Sequence, residues 1–125
     1  RVLELARCQM TDVGLESLVH LKRLVNLNLD KTQVTDRGLI HLKGLTQLKR
    51  LSINMTRVTG AGLERLIGLA QLQFIGLGGL NIKGHQLLKL KGLKQLKHLK
   101  VGHDSEVSAE VKESLKSAIP DLNIY

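Results

Sequence analysis

The sequence has one cysteine, one proline and no tryptophan, and its only phenylalanine and tyrosine are Phe74 and Tyr125. A lone thiol, Cys8, makes no intrachain disulfide, so a disulfide-stapled scaffold is excluded. No apolar run approaches the ~20 residues that a membrane-spanning helix needs. The start, Arg1-Val2-Leu3-Glu4-Leu5, lacks the basic segment and apolar stretch of a secretory signal. With so little proline and no low-complexity run, disordered linkers are not expected. With so few aromatics, the core volume must come from elsewhere. It comes from leucine, which accounts for 27 of the 125 residues. A core built almost wholly from one aliphatic side chain suggests a small packing unit used repeatedly. The length suits one domain, and a 42% hydrophobic, 24% charged composition supports a packed core under a charged surface.

Self-comparison reveals the unit. Leu24 to Gln47, Leu48 to Gln71 and Leu72 to Gln95 align without a gap at a period of 24 residues. Arg1 to Arg23 is the same unit without its first residue, and Leu96 begins it again before the pattern drifts. Within a unit the apolar spacing changes. Leu24-x-x-Leu27-x-Leu29 alternates at period two, which predicts a short strand with one buried face. Val34, Leu39, Leu42 and Leu45 step by three to five, which predicts a helix or tight helical turn. Thr35-Asp36 between them reads as a helix N-cap pair; Thr11-Asp12 and Thr59-Gly60 repeat it and Lys83-Gly84 departs from it. Gly14, Gly38 and Gly62 recur just beyond, where a glycine in a helix costs ~1 kcal/mol, so close approach between neighbouring units is expected there.

One unit cannot bury its own leucines, whereas stacked units merge strands into a parallel sheet and leucines into one core. The motif LxxLxLxxT/C followed by V-T-D-x-G-L-x-x-L-x-x-L resembles the leucine-rich repeat family, in the form found in bacterial and F-box-like members. The resemblance covers nearly the whole chain. It implies an α/β fold: a right-handed leucine-rich repeat solenoid with a parallel sheet on the concave face and short helices on the convex face. It also implies a scaffold for non-catalytic protein recognition, without naming a partner.

The expected organisation is a single leucine-rich repeat domain over 1–125, with repeats at about 1–23, 24–47, 48–71, 72–95 and 96–104 and a C-terminal cap over about 105–125. Val107, Val111, Leu115 and Ile119 are spaced by four, which predicts an amphipathic helix capped by Ser108 and ended by Pro120. Leu122-x-Ile124 then predicts a last edge strand. Residue 1 lies inside a strand motif. The expectation is therefore that repeats or a cap precede Arg1 in a longer protein, the alternative being self-association through an uncapped N-terminal edge.

Residues between the strand leucines face outward on the concave sheet. The successive columns are Val2, Asn26, Arg50, Phe74, His98; then Glu4, Asn28, Ser52, Gly76, Lys100; then Ala6, Asp30, Asn54, Gly78, Gly102; then Arg7, Lys31, Met55, Gly79, His103. Members of a column are expected ~4.8 Å apart. The candidate protein-binding residues are Phe74, Arg50, His98, Asn28, Asp30, Asn54 and Lys100. Phe74 is the expected anchor, with Gly76, Gly78 and Gly79 leaving a shallow floor beside it.

Between Arg65 and His103 lie seven basic residues and no acidic one, against twelve basic and eleven acidic elsewhere. Nearly all of the +8 net charge therefore sits between Arg65 and His103, mostly in repeats four and five. Lys83, Lys89, Lys91, Lys94 and Lys97 form a candidate basic patch, with Lys89, Lys91 and Lys94 expected on the helical side. An alternative function is thus electrostatic docking of an anionic partner, an acidic protein or nucleic acid. Nucleic acid is disfavoured because no aromatic platform is interleaved with the lysines. A third alternative is a structural spacer. No enzyme activity, cofactor or metal is expected. The serines lie in no nucleophile elbow, Cys8 occupies the turn position of Thr32 and Thr56, and His98 and His103 have no zinc-ligand spacing.

Overall fold

The computed structural model describes all 125 residues. Six short strands form one parallel sheet in chain order: β1 (Val2–Glu4), β2 (Asn26–Asn28), β3 (Arg50–Ser52), β4 (Phe74–Leu77), β5 (His98–Val101) and β6 (Asn123–Ile124). The register follows the repeat. Leu3, Leu27, Leu51, Ile75, Leu99 and Ile124 are successive partners, as are Val2, Asn26, Arg50, Phe74, His98 and Asn123. The first column points into the molecule and the second out of it, as period-two alternation dictates.

Each strand returns to the next through a short helical segment on the opposite side. The first is an α-helix, α1 (Asp12–Glu16), and the next three are 3-10 helices, Gly38–Leu42, Gly60–Leu66 and Gly84–Gly92. A 24-residue circuit leaves few residues for that side, and a 3-10 helix covers more length per residue than an α-helix. Leucines from both sides meet in one cluster of 29 buried residues. An α-helix, α2 (Ala109–Ala118), follows β5 and packs on Gly84–Gly92, burying Leu115 and Ile119. The Ser108 hydroxyl caps it by accepting from the Val111 amide at 3.3 Å.

The Thr-Asp pairs differ from the expectation. Neither Thr11 nor Thr59 makes a side-chain capping bond to its own helix. The pairs join neighbouring repeats instead. Asp12 accepts from the amide of Thr35 at 2.8 Å and from its hydroxyl at 2.5 Å. Asp36 treats Thr59 in the same way, at 2.7 and 2.6 Å. In the next pair of repeats both partners are replaced together, by Gly60 and Lys83, and Gln86 fills the space above Gly60. The recurring glycines now have a cause. A Cβ on Gly38 or Gly62 would sit 2.3 Å from an oxygen of Asp12 or Asp36. Gly14 instead faces Met10 of its own repeat. Replacing Asp36 by alanine is therefore expected to cost about 1 kcal/mol. In a double-mutant cycle with Thr59→Ala, urea unfolding should give a coupling of at least about 0.5 kcal/mol. Strict additivity would show that the two side chains do not hold the repeats together.

The edge of β1 is open. Asn26, Arg50, Phe74 and His98 donate their amides to the chain just before the preceding strand, to Arg1, Val25, Lys49 and Gln73, whereas Val2 has no strand before it. The uncovered apolar surface shows the same thing. Leu21 is 43% exposed, while Leu45, Leu69 and Leu93 at the same repeat position are 0% exposed. Fast amide hydrogen exchange is expected at Val2 and Glu4 relative to Asn26 and Asn28. Equal protection in a dilute sample would mean that the edge is closed.

Candidate functional site

The sheet face presents one row of large side chains. The Arg50 guanidinium lies over the Phe74 ring, 4.3 Å from its centroid. The next strand contributes His98, and the ring of Tyr125 meets the His98 imidazole edge-on, with centroids 6.2 Å apart and an interplanar angle of 73°. Tyr125 follows β6, donates its amide to Leu99 and accepts from Val101, which brings it beside β5. Arg50, Phe74 and His98 thus stand at one register on three adjacent strands, and Tyr125, just past β6 and level with Lys100, reaches diagonally to His98. Phe74 is half-buried under the guanidinium and not fully outward, because the long Arg50 side chain leans across the strand spacing. Such stacking contributes about 0.5–1 kcal/mol and holds both groups in place before any partner arrives.

The polar candidates play a different part. Asn28 accepts the amide of Asp30 at 3.0 Å. Asp30 accepts from the Ser52 hydroxyl and the Asn54 amide, both at 2.8 Å, and from the Asn54 side-chain amide. Asn54 in turn accepts the amide of Gly78 at 2.6 Å. Asp30 and Asn54 form a ladder from repeat to repeat and spend most of their hydrogen-bonding capacity inside the molecule, whereas Asn28 bonds only within its own repeat. The shallow floor expected beside Phe74 is partly filled by them. A Cβ on Gly76 would lie 2.9 Å from both Ser52 and Asn54, so glycine there makes room for the Asn54 carboxamide. The remaining depressions flank this ladder. A pocket of about 200 Å³ is lined by Glu4, Asn26, Asn28, Arg50, Ser52 and Phe74, among others. A second, of about 310 Å³, lies at the carboxyl ends of the strands, between Lys31, Met55, Gly79 and Lys100.

The basic residues lie in several elements. Lys100 is exposed on β5 and faces outward with the sheet. Lys89 and Lys91 lie on the helical side, in Gly84–Gly92. Lys89 pairs with Glu64 at 3.2 Å and donates to the Gly60 carbonyl. Lys94 donates to the Ala118 carbonyl at 3.0 Å, at the C-terminal end of α2, where a cation is favoured. Lys83 and Lys97 are exposed, at the start of the 3-10 helix and just before β5. No group of three or more His, Cys, Asp or Glu side chains converges as a metal site, and no helix is long and apolar enough to cross a membrane.

Comparison with solved structures places this architecture. An internalin (inlF) from Listeria monocytogenes superposes over 98% of the chain at a TM-score of 0.58 and 19% identity, and the chain spans 46% of that protein's length. An internalin C2 from the same organism superposes over 98% of the chain and 69% of its own, at a TM-score of 0.53 and 18% identity. The family described as Leucine Rich repeat matches residues 1–19. The fold is that of a leucine-rich repeat solenoid. No curated protein sequence matches the chain. The solenoid accounts for the shared register of the sheet face, since each repeat adds one strand and one residue to every outward column. Tyr125 is the site residue that reading the repeats overlooks. It lies outside every full repeat, and only the alternation of Leu122 and Ile124 hinted that it faces outward.

Proposed function

We propose that the solenoid is a non-catalytic protein-recognition module that binds through its sheet face. The observation that carries this reading is the row Arg50, Phe74, His98 and Tyr125. Arginine and aromatic side chains are the residue types that dominate interface energetics. Here they are held by mutual stacking on a hydrogen-bonded sheet, so little ordering remains to be done on binding. Asn28, Asp30 and Asn54 support that surface from within, and Lys100 extends it.

Docking of an anionic partner on a basic patch of repeats four and five is the weaker reading. Its lysines lie from the start of the 3-10 helix to the residue before β5, and Lys89 and Lys94 already have partners within the chain. The test compares wild type, Phe74→Ala and a Lys89/Lys91/Lys94→Gln variant for binding to the partner captured by the wild-type chain. Loss with Phe74→Ala and retention with the lysine variant supports the sheet face; the reverse pattern moves the site to the helical side.

A further inference from the structure

The outward charges of the sheet are unequally divided. Both outward carboxylates, Glu4 and Asp30, belong to the first two repeats, and Asp30 is occupied by Ser52 and Asn54. From β3 to Tyr125 the outward side chains of the strands include Arg50 and Lys100 and no carboxylate, with His98 between them. The chain's one salt bridge, Lys89 with Glu64, lies elsewhere, so the Arg50 and Lys100 cations have no acidic partner within the molecule. Between these two cations lie Phe74 and the imidazole of His98, and Tyr125 closes the far side.

Resting on the sheet-face reading, we propose that the partner is an acidic protein segment: an extended stretch with an apolar side chain flanked by carboxylates. Arg50 and Lys100 stand on strands two apart and two residues out of register, about 12 Å at the usual strand spacing and rise. An extended or polyproline-type segment covers that distance in about four residues. Its apolar side chain packs on the exposed flank of Phe74 and beside Tyr125, while its carboxylates meet the guanidinium and the ammonium. A nucleic-acid strand fits this face less well. It needs a row of cations along its backbone and free ring faces for stacking, and the Phe74 ring is covered by Arg50.

The test uses the whole chain and a short synthetic peptide with Glu-Glu-Leu-Glu-Glu at its centre, followed by amide chemical shifts in NMR titration. Expected are shifts confined to Arg50, Phe74, Gly76, Gly78, His98 to Lys100 and Tyr125, which weaken with added salt. Lys100→Glu should weaken binding about tenfold, whereas Lys91→Glu on the helical side leaves it unchanged. If a peptide with glutamine for every glutamate binds the same amides equally well, the acidic preference falls and the sheet-face reading stands. If the acidic peptide gives no shifts at millimolar concentration, the acidic preference also falls. Shifts centred on Lys83 to Lys94 and abolished by Lys91→Glu would overturn both readings. An oligothymidylate that shifts the sheet-face amides more than the acidic peptide would overturn the choice of a protein partner.

Discussion

Truncating Leu51 to alanine is expected to destabilise the chain by about 2–5 kcal/mol, the range for a leucine removed from a packed interior. Leu51 is fully buried at the middle of the inward column, between Leu27 and Ile75. Its neighbours on both sides are backbone-paired strands, which cannot move inward without breaking the register, so the cavity persists. In a solenoid each repeat touches only its neighbours, and a defect in the third of six strands weakens two junctions at once. The measurement is the urea midpoint of unfolding at constant slope. A midpoint that does not move would mean the inward and outward columns are exchanged, since a one-residue slip reverses every side chain.

Replacing Phe74 by alanine is expected to weaken partner binding by about 2 kcal/mol or more, the hot-spot threshold. Folding stability should change much less. The ring stands on the outer face, and its main internal contact is the Arg50 guanidinium, which is free to turn to solvent once the ring is gone. The effect on binding exceeds the lost ring contacts because Arg50 is no longer held in position. Binding isotherms and unfolding curves on the same variant separate the two effects. An unfolded Phe74→Ala protein, or one with unchanged affinity, would remove Phe74 from the recognition surface. In contrast, the Lys89/Lys91/Lys94→Gln variant should leave the sheet face intact and act mainly on the rate of encounter.

The repeat was legible from leucine spacing alone. A period of 24 residues with alternation in one part and steps of three to five in the other specifies which side chains must be buried together. Burial then leaves stacking as the solution, with strands in register. The same logic placed Ser108 at the start of a helix ending before Pro120, because capping and chain-breaking are local chemistry. What neighbouring repeats do to each other was not legible in this way. Thr35 and Asp36 carry the residue types of a local N-cap, yet Thr35 bonds Asp12 of the repeat before and Asp36 bonds Thr59 of the repeat after. Asp30 and Asn54 look like free outward groups in a linear reading. Stacking brings donors 22 to 24 residues away within reach of their side chains, and they become internal.

The left-handed turn after each strand shows the same division. Arg7, Lys31 and Met55 have φ of 63°, 58° and 55°, and Gly79 has 71°, at one position of four successive repeats. Three of the four are not glycine, so local preference gives no sign of the turn, and the sheet imposes it on them. The sequence by itself determined the repeat length, the buried column, the outward columns and the last helix, since each follows from hydrophobic period or local chemistry. Only the tertiary structure decided that Arg50 covers Phe74, that Tyr125 joins His98, and that Asp and Asn bind across repeats. Those contacts join residues at least 22 apart, and their geometry exists only once the strands lie side by side.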